Sequence, residues 1–133
     1  MILGAGIDII EIERIHRVVN KRRNFTSRFF TPEEREYFHS RGKKSIESIA
    51  GYFAAKEAVA KSIGTGFSGF RWQEIEIKKL SQGQPQVILW GKAKTEAKRR
   101  GISRIVLSIS HCKEYAVAQA IAIGEKNKGR KRC

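Results

Sequence analysis

Two acidic side chains stand where an unpaired charge is costly. Asp8 interrupts the apolar run from Ile2 to Ile10, and Glu57 follows Phe53 by one helical turn, directly before Ala58. Two chemistries would account for them. A hard divalent cation such as Mg²⁺ takes carboxylate oxygens and keeps waters and substrate phosphates in the rest of its shell. An ion pair is the simpler alternative: Glu57 and Lys61 are spaced i, i+4 in the favourable order, and Asp8 has many cations to choose from. Spacing alone favours the ion pair.

Two further constellations could meet a phosphate. Gly64-Thr-Gly66-Phe-Ser-Gly69 matches the three-glycine dinucleotide pattern, but a helix precedes it and a strand follows. That order is the reverse of the one that aims a helix N-terminus at a pyrophosphate, so the dinucleotide reading is rejected. The same context argues against an RNA-clamping loop of the KH kind. A helix stop and a turn whose backbone amides could approach a phosphate both remain. Ser108-Ile-Ser110-His111 brings a histidine to the end of a strand, where it could contact a phosphate, move a proton, or simply occupy a turn.

The surrounding pattern predicts the elements that must hold these residues. Residues 2–10 read as a buried strand, and 11–20 as a helix with Ile12, Ile15, Val18 and Val19 inward. Residues 21–25 read as a basic turn. Thr31-Pro32-Glu33-Glu34 starts a second helix with a capping box, which Gly42 ends. The longest helix spans 45–63, with Ile46, Ile49, Ala50, Phe53, Ala54, Ala58 and Ala60 as its core stripe, and Gly64 stops it. Ile75 and Ile77 alternate with Glu74, Glu76 and Lys78, and a turn over 82–85 leads to a strand over 87–90. A short basic helix over 91–100 follows, then strands over 104–110 and 115–123. The fold class is α+β, with helices gathered between a first strand and a later antiparallel sheet. Residues 1–124 form one domain, and 125–133 read as a basic, disordered tail.

Composition narrows the partners. Lys plus Arg number 27 against 13 Asp plus Glu, a formal net charge of +14, which attracts polyanions. A nucleic-acid module is one reading, but aromatics are only 9% and are not interleaved with the basic residues as stacking platforms would be. No run is apolar for long enough to insert in a membrane. Only two cysteines, Cys112 and Cys133, are present, at no metal-ligand spacing, and a cytoplasmic location is expected.

Taken in order, Gly6-Ile-Asp8-Ile, Phe53-Ala-Ala-Lys-Glu57-Ala-Val-Ala-Lys61, Gly64-Thr-Gly66, Ser108-Ile-Ser-His111 and Glu114-Tyr115-Ala form a set. It resembles the bacterial holo-acyl-carrier-protein synthases, the small trimeric group of 4′-phosphopantetheinyl transferases, from Met1 to about Ile123. The resemblance implies the fold of that group and its reaction. The 4′-phosphopantetheine arm of coenzyme A passes to a serine of apo acyl carrier protein, adenosine 3′,5′-bisphosphate leaves, and the product serves fatty acid biosynthesis. It also implies roles. Asp8 and Glu57 would hold Mg²⁺ and act catalytically with Lys61. Lys61, Gly64, Gly66, Gln84, Pro85 and His111 would bind coenzyme A. Arg14, Arg17, Lys21, Arg22, Phe25 and Arg28 would receive the acidic carrier. A water held by metal and carboxylates, or Glu57 itself, would take the serine proton. The group's assembly implies a homotrimer with sites at subunit boundaries. A non-catalytic carrier-binding scaffold is disfavoured, because Asp8, Glu57 and Lys61 occur together. Cys112 departs from the threonine or serine frequent at that position.

Overall fold

Small residues decide how the main helix meets the main sheet. In the computed structural model, which describes residues 1–125, the helix α4 (Ser45–Ile63) lies across a three-stranded antiparallel sheet of order β1-β5-β4. These strands are β1 (Ile2–Glu11), β4 (Ile102–His111) and β5 (Tyr115–Gly124). Ala116, Ala118, Ala120 and Ala122 of β5 are buried beneath the helix, and Ala50, Ala54, Ala55 and Ala58 are buried on it. Alanine on both sides permits close approach. Gly4 and Gly6 of β1 take this further: a Cβ on either would collide with the carbonyl oxygen of Ser62 or Ala58. Strand and helix therefore touch backbone to backbone, two residues before Asp8.

The register sets the faces. Gly4, Gly6, Asp8 and Ile10 pair with Ala122, Ala120, Ala118 and Ala116, so Asp8 points to the α4 side. Ile7 and Ile9 point away and are 60% and 62% exposed. The first strand thus belongs to the same sheet as β4 and β5, a correction to the expectation that helices separate it from a later sheet. Pairing with the last strand lets β1 share one buried face with β4 and β5.

The remaining elements pack around α4 and the sheet. α1 (Ile12–Lys21), α2 (Phe25–Phe29) and α3 (Pro32–Ser40) precede α4, and a hairpin of β2 (Ile75–Lys78) and β3 (Gln86–Leu89) leads to α5 (Gly91–Arg99). Thr31 forms the expected capping box with Glu34. Gly64 ends α4 at φ +104°, a conformation strained for any residue with a Cβ. Arg100 Nη1 donates to the Ile63 carbonyl at 3.0 Å and satisfies one of the last carbonyls of α4.

Several local readings differ. Residues 21–25 are not simply a turn: α2 begins at Phe25, because Phe25 and Phe29, four apart, both pack on Phe53. The second hairpin strand starts and ends one residue earlier than expected, and the Trp90 N–H continues its register to the Glu74 carbonyl at 2.8 Å. Glu76 does not face solvent. It is 7% exposed and accepts from Thr31 Oγ1 at 2.7 Å and Trp90 Nε1 at 2.9 Å. α4 is buried on most of its circumference, while Ile46 and Phe53 of its expected stripe are only half-buried. The expected tail lies, from residue 126 onward, outside the described residues.

Candidate functional site

Close contact of β1 with α4 brings the two acids together. Asp8 and Glu57 line one open groove of about 570 Å³, bounded also by Ile9, Ile10, Glu11, Arg14, Ile15, Val18, Phe25, Phe53 and Tyr115. The Lys61 ammonium, one turn past Glu57, bridges strand and helix. Its Nζ lies 3.3 Å from Asp8 Oδ1 and donates to the Ile7 carbonyl at 3.0 Å. The ion pair read from spacing, Glu57 with Lys61, does not form; Lys61 chooses Asp8 on another element. Glu57 has no ion pair within 4 Å among the described residues. Its pKa is raised, first by burial and then by the negative charge of Asp8, with Lys61 opposing.

Asp8 and Glu57 repel each other across one groove whose wall also carries Glu11 and Arg14, and the Lys61 ammonium sits at Asp8. The Asp8 and Glu57 donors are hard oxygens, which suit a cation such as Mg²⁺ that fills its shell with water and phosphate. No group of three or more His, Cys, Asp or Glu able to cage a metal occurs among the described residues, which leaves softer metals without a nitrogen or sulfur set.

The other residues singled out divide by location. Arg14 and Phe25 line the acid groove itself. Arg17, Lys21 and Arg22 are exposed on and just after α1. Arg28 lines a neighbouring cleft with Phe29, Phe67, Phe70, Arg71, Trp72 and Gln73. Gly64 and Gly66 follow the end of α4, one turn beyond Lys61. His111 and Pro85 lie on the opposite flank of α4, in a small cavity of about 140 Å³ that shares no residue with the acid groove. Gln84 is exposed in the hairpin turn and does not line that cavity. One chain therefore does not bring His111 and Pro85 to Asp8 and Glu57.

Sequence reasoning missed the cations and aromatics of the His111 cavity: Arg41, Tyr52 and Lys79. The Tyr52 hydroxyl there is buried with no hydrogen-bond partner among the described residues. It also missed a buried ion pair beside the site. Lys56 Nζ lies 2.7 Å from Glu34 Oε1, both side chains 0% exposed, and donates to the Trp72 carbonyl at 3.1 Å. The Glu34 carboxylate also accepts from the N–H groups of Thr31 at 2.9 Å and Ile77 at 2.7 Å. Burial raises the pKa of Glu34 and lowers that of Lys56, and their mutual attraction opposes both shifts. A lysine amid the alanines of α4 was the available signal for that pair.

Comparison with known proteins agrees with this fold. The family model described as the 4′-phosphopantetheinyl transferase superfamily matches residues 4–120. The holo-[acyl-carrier-protein] synthase of Caldanaerobacter subterraneus subsp. tengcongensis is 47% identical over 127 residues, 96% of this chain and 99% of that one. The crystal structure of holo-ACP-synthase from Plasmodium yoelii superposes with a TM-score of 0.84 at 38% identity, covering 95% of this chain and 98% of that one. That from Bacillus anthracis, in complex with CoA (3′,5′-ADP), superposes at 0.78 and 37% identity over 94% and 99%. This chain belongs to the 4′-phosphopantetheinyl transferase superfamily and, within it, to the holo-[acyl-carrier-protein] synthase family of transferases.

Proposed function

We propose that the chain transfers the 4′-phosphopantetheine of coenzyme A to a serine of apo acyl carrier protein, for fatty acid biosynthesis in the cytoplasm. The observation that carries this reading is the joining of Asp8 and Glu57 in one groove whose wall also holds Arg14 and Phe25, with Lys61 paired to Asp8. The serine oxygen forms a bond to the phosphorus bearing the pantetheine arm. The bond from that phosphorus to the bridging oxygen breaks, and adenosine 3′,5′-bisphosphate leaves with the electron pair. Asp8 and Glu57 would hold Mg²⁺, which supplies charge neutralisation at the pyrophosphate when bound. Lys61, held at Asp8, offers its ammonium to the same oxygens. A water held by the cation and the carboxylates, or Glu57 itself, would take the serine proton. The chain needs no nucleophile of its own, because the carrier brings it.

The coenzyme's phosphates would meet Lys61 and the backbone of Gly64 and Gly66. Its nucleotide end would meet Pro85 and His111, with Gln84 at the mouth. Arg41 and Lys79, against the one carboxylate of Glu47, leave that cavity with the net positive charge a 3′-phosphate needs. Since α4 separates the two regions, the His111 cavity would come from a neighbouring copy. The sheet face away from α4 supports such assembly: Ile7, Ile9, Val106, Val117 and Ile121 lie on it, partly exposed, around the polar pair Gln119 and Ser108. We assign it to a homotrimer. Arg14, with Arg17, Lys21, Arg22 and Arg28, would receive the acidic carrier, with Phe25 as its apolar anchor.

The test is direct. Coenzyme A, Mg²⁺, apo acyl carrier protein and this chain are incubated, and the carrier is weighed by mass spectrometry. The expected result is the gain of one phosphopantetheine on a serine; an unchanged carrier mass refutes the reading.

A further inference from the structure

A seam between the two sheets lies apart from both regions that the reaction uses. β3 and β4 run side by side but belong to different sheets, and α5 closes one side of the gap between them. The resulting trough holds about 350 Å³, within the usual range of small-molecule sites, roughly 300–1,000 Å³. It shares no lining residue with the acid groove or the His111 cavity. We propose that the trough is a binding site for one long-chain carboxylate, its chain in the seam and its head among Lys94, Lys98 and Arg104. The site stands whether or not the transferase reading holds.

The floor is aliphatic. Val87 and Leu89 of β3 and Ile102 and Ile105 of β4 line the trough and are only half-buried. Ala97, the α5 residue beside them, is small and leaves the space open. Covering such carbon is favourable in proportion to the area taken from water. The rim is cationic. Lys94 and Lys98 stand one turn apart on α5, and Arg104 lies near the start of β4; all three are exposed. Like charges at i, i+4 repel, and an anion between them relieves the repulsion. Glu96, the acid between the two lysines in sequence, is engaged elsewhere: Arg99 and Arg100 each approach it to 2.6 Å. Lys94, Lys98 and Arg104 have no ion pair among the described residues.

The lining also excludes other ligands. Among the described residues no aromatic ring lines the trough, so a nucleobase finds no stacking platform. The one uncharged polar side chain, Ser103, already donates to the Ile123 carbonyl at 3.0 Å, so a sugar finds few partners. The α5 residues come from its middle and last turn, where no row of free backbone N–H groups awaits a phosphate. A bilayer takes apolar side chains that protrude, whereas here they are recessed and the lysines stand outside them. A hydrocarbon chain ending in one carboxylate uses both floor and rim.

The experiment is calorimetric titration of the full chain with sodium decanoate below its micelle-forming concentration. One saturable site per chain is expected. Octanoate should bind about tenfold more weakly, and acetate and inorganic phosphate should give no binding at the same concentration. Lys94→Glu with Lys98→Glu is expected to weaken decanoate about tenfold or more. Lys92→Glu with Lys113→Glu, an equal reversal outside the trough, is expected to leave the affinity unchanged. Val87→Trp fills the floor and should abolish binding with every cation in place. Circular dichroism checks that the variants fold, and Lys94→Gln with Lys98→Gln takes the place of the reversal if that variant does not. Equal affinity in the two double reversals, acetate binding as tightly as decanoate, or decyl phosphate binding more tightly than decanoate overturns the proposal. So does binding to phosphatidylglycerol vesicles without a saturable decanoate site.

Discussion

Asp8, Glu57 and Lys61 each do something that their residue type alone does not dictate. Asp8 is partly shielded and shares Lys61, whereas Glu57 keeps its charge unpaired in a half-buried position. A divalent cation would relieve that repulsion, and the expectations follow. Asp8→Asn and Glu57→Gln should each lower the transfer rate by about a hundredfold or more, with unchanged circular dichroism. Chelation with EDTA should abolish transfer by the wild type, and added Mg²⁺ should restore it. Near-normal turnover in either variant, measured as holo carrier formed per minute, would refute the metal assignment. Arg14 carries a different expectation because it lies on the groove wall and not between the acids. Arg14→Glu should raise the KM for carrier by about tenfold with little change in the KM for coenzyme A.

At the scale of elements, the buried Glu34–Lys56 pair joins α3, α4 and β2 beside the site. Desolvation makes a paired buried charge a poor source of net stability, but removing one partner strands the other. Glu34→Ala should cost about 3–5 kcal/mol, seen as a melting temperature lower by roughly 10 °C or more. The double change Glu34→Leu with Lys56→Met should recover most of that loss, because no charge is left unpaired. A double variant as unstable as Glu34→Ala would show that the pair's hydrogen bonds to Thr31, Trp72 and Ile77 carry the stability instead. The contact of β1 with α4 is a second element-scale dependence. Any side chain at Gly6 meets the Ala58 carbonyl, so the position of Asp8 beside Glu57 depends on a residue with no chemistry of its own.

For the whole molecule, two surfaces remain open in a single chain: the apolar outer face of the sheet and the cationic side of α1 and α2. The first is where copies would meet. Ile121→Glu places a charge in the middle of it, away from the α4 core. The variant should sediment as a folded monomer and lose transfer, because the His111 cavity and the acid groove would no longer be joined. A monomer that keeps full activity would separate catalysis from assembly. The second surface suits the net charge of +14, which speeds encounter with an acidic carrier more than it tightens the complex.

How much of this was legible in the chain follows from the range of each interaction. Helix α4 ends as read, at Gly64, and the capping box at Thr31 forms, because caps and stops are settled within four residues. The ordered residues around Asp8, Glu57 and Lys61 were enough for the family and for the candidate acids. Pairing across elements was not legible. Lys61 reaches Asp8, 53 residues away, instead of Glu57, four away, because Gly4 and Gly6 let β1 lie against α4. Glu76 turns inward because Thr31 and Trp90, distant in sequence, supply its donors. The amino-acid order by itself determined helices α1, α3, α4 and α5, the glycine turn and the acids that could hold a cation. Only the tertiary structure decided which acid holds Lys61, which leaves Glu57 unpaired, and that His111 lies across α4 from both, since those facts depend on backbone separations that no local pattern encodes.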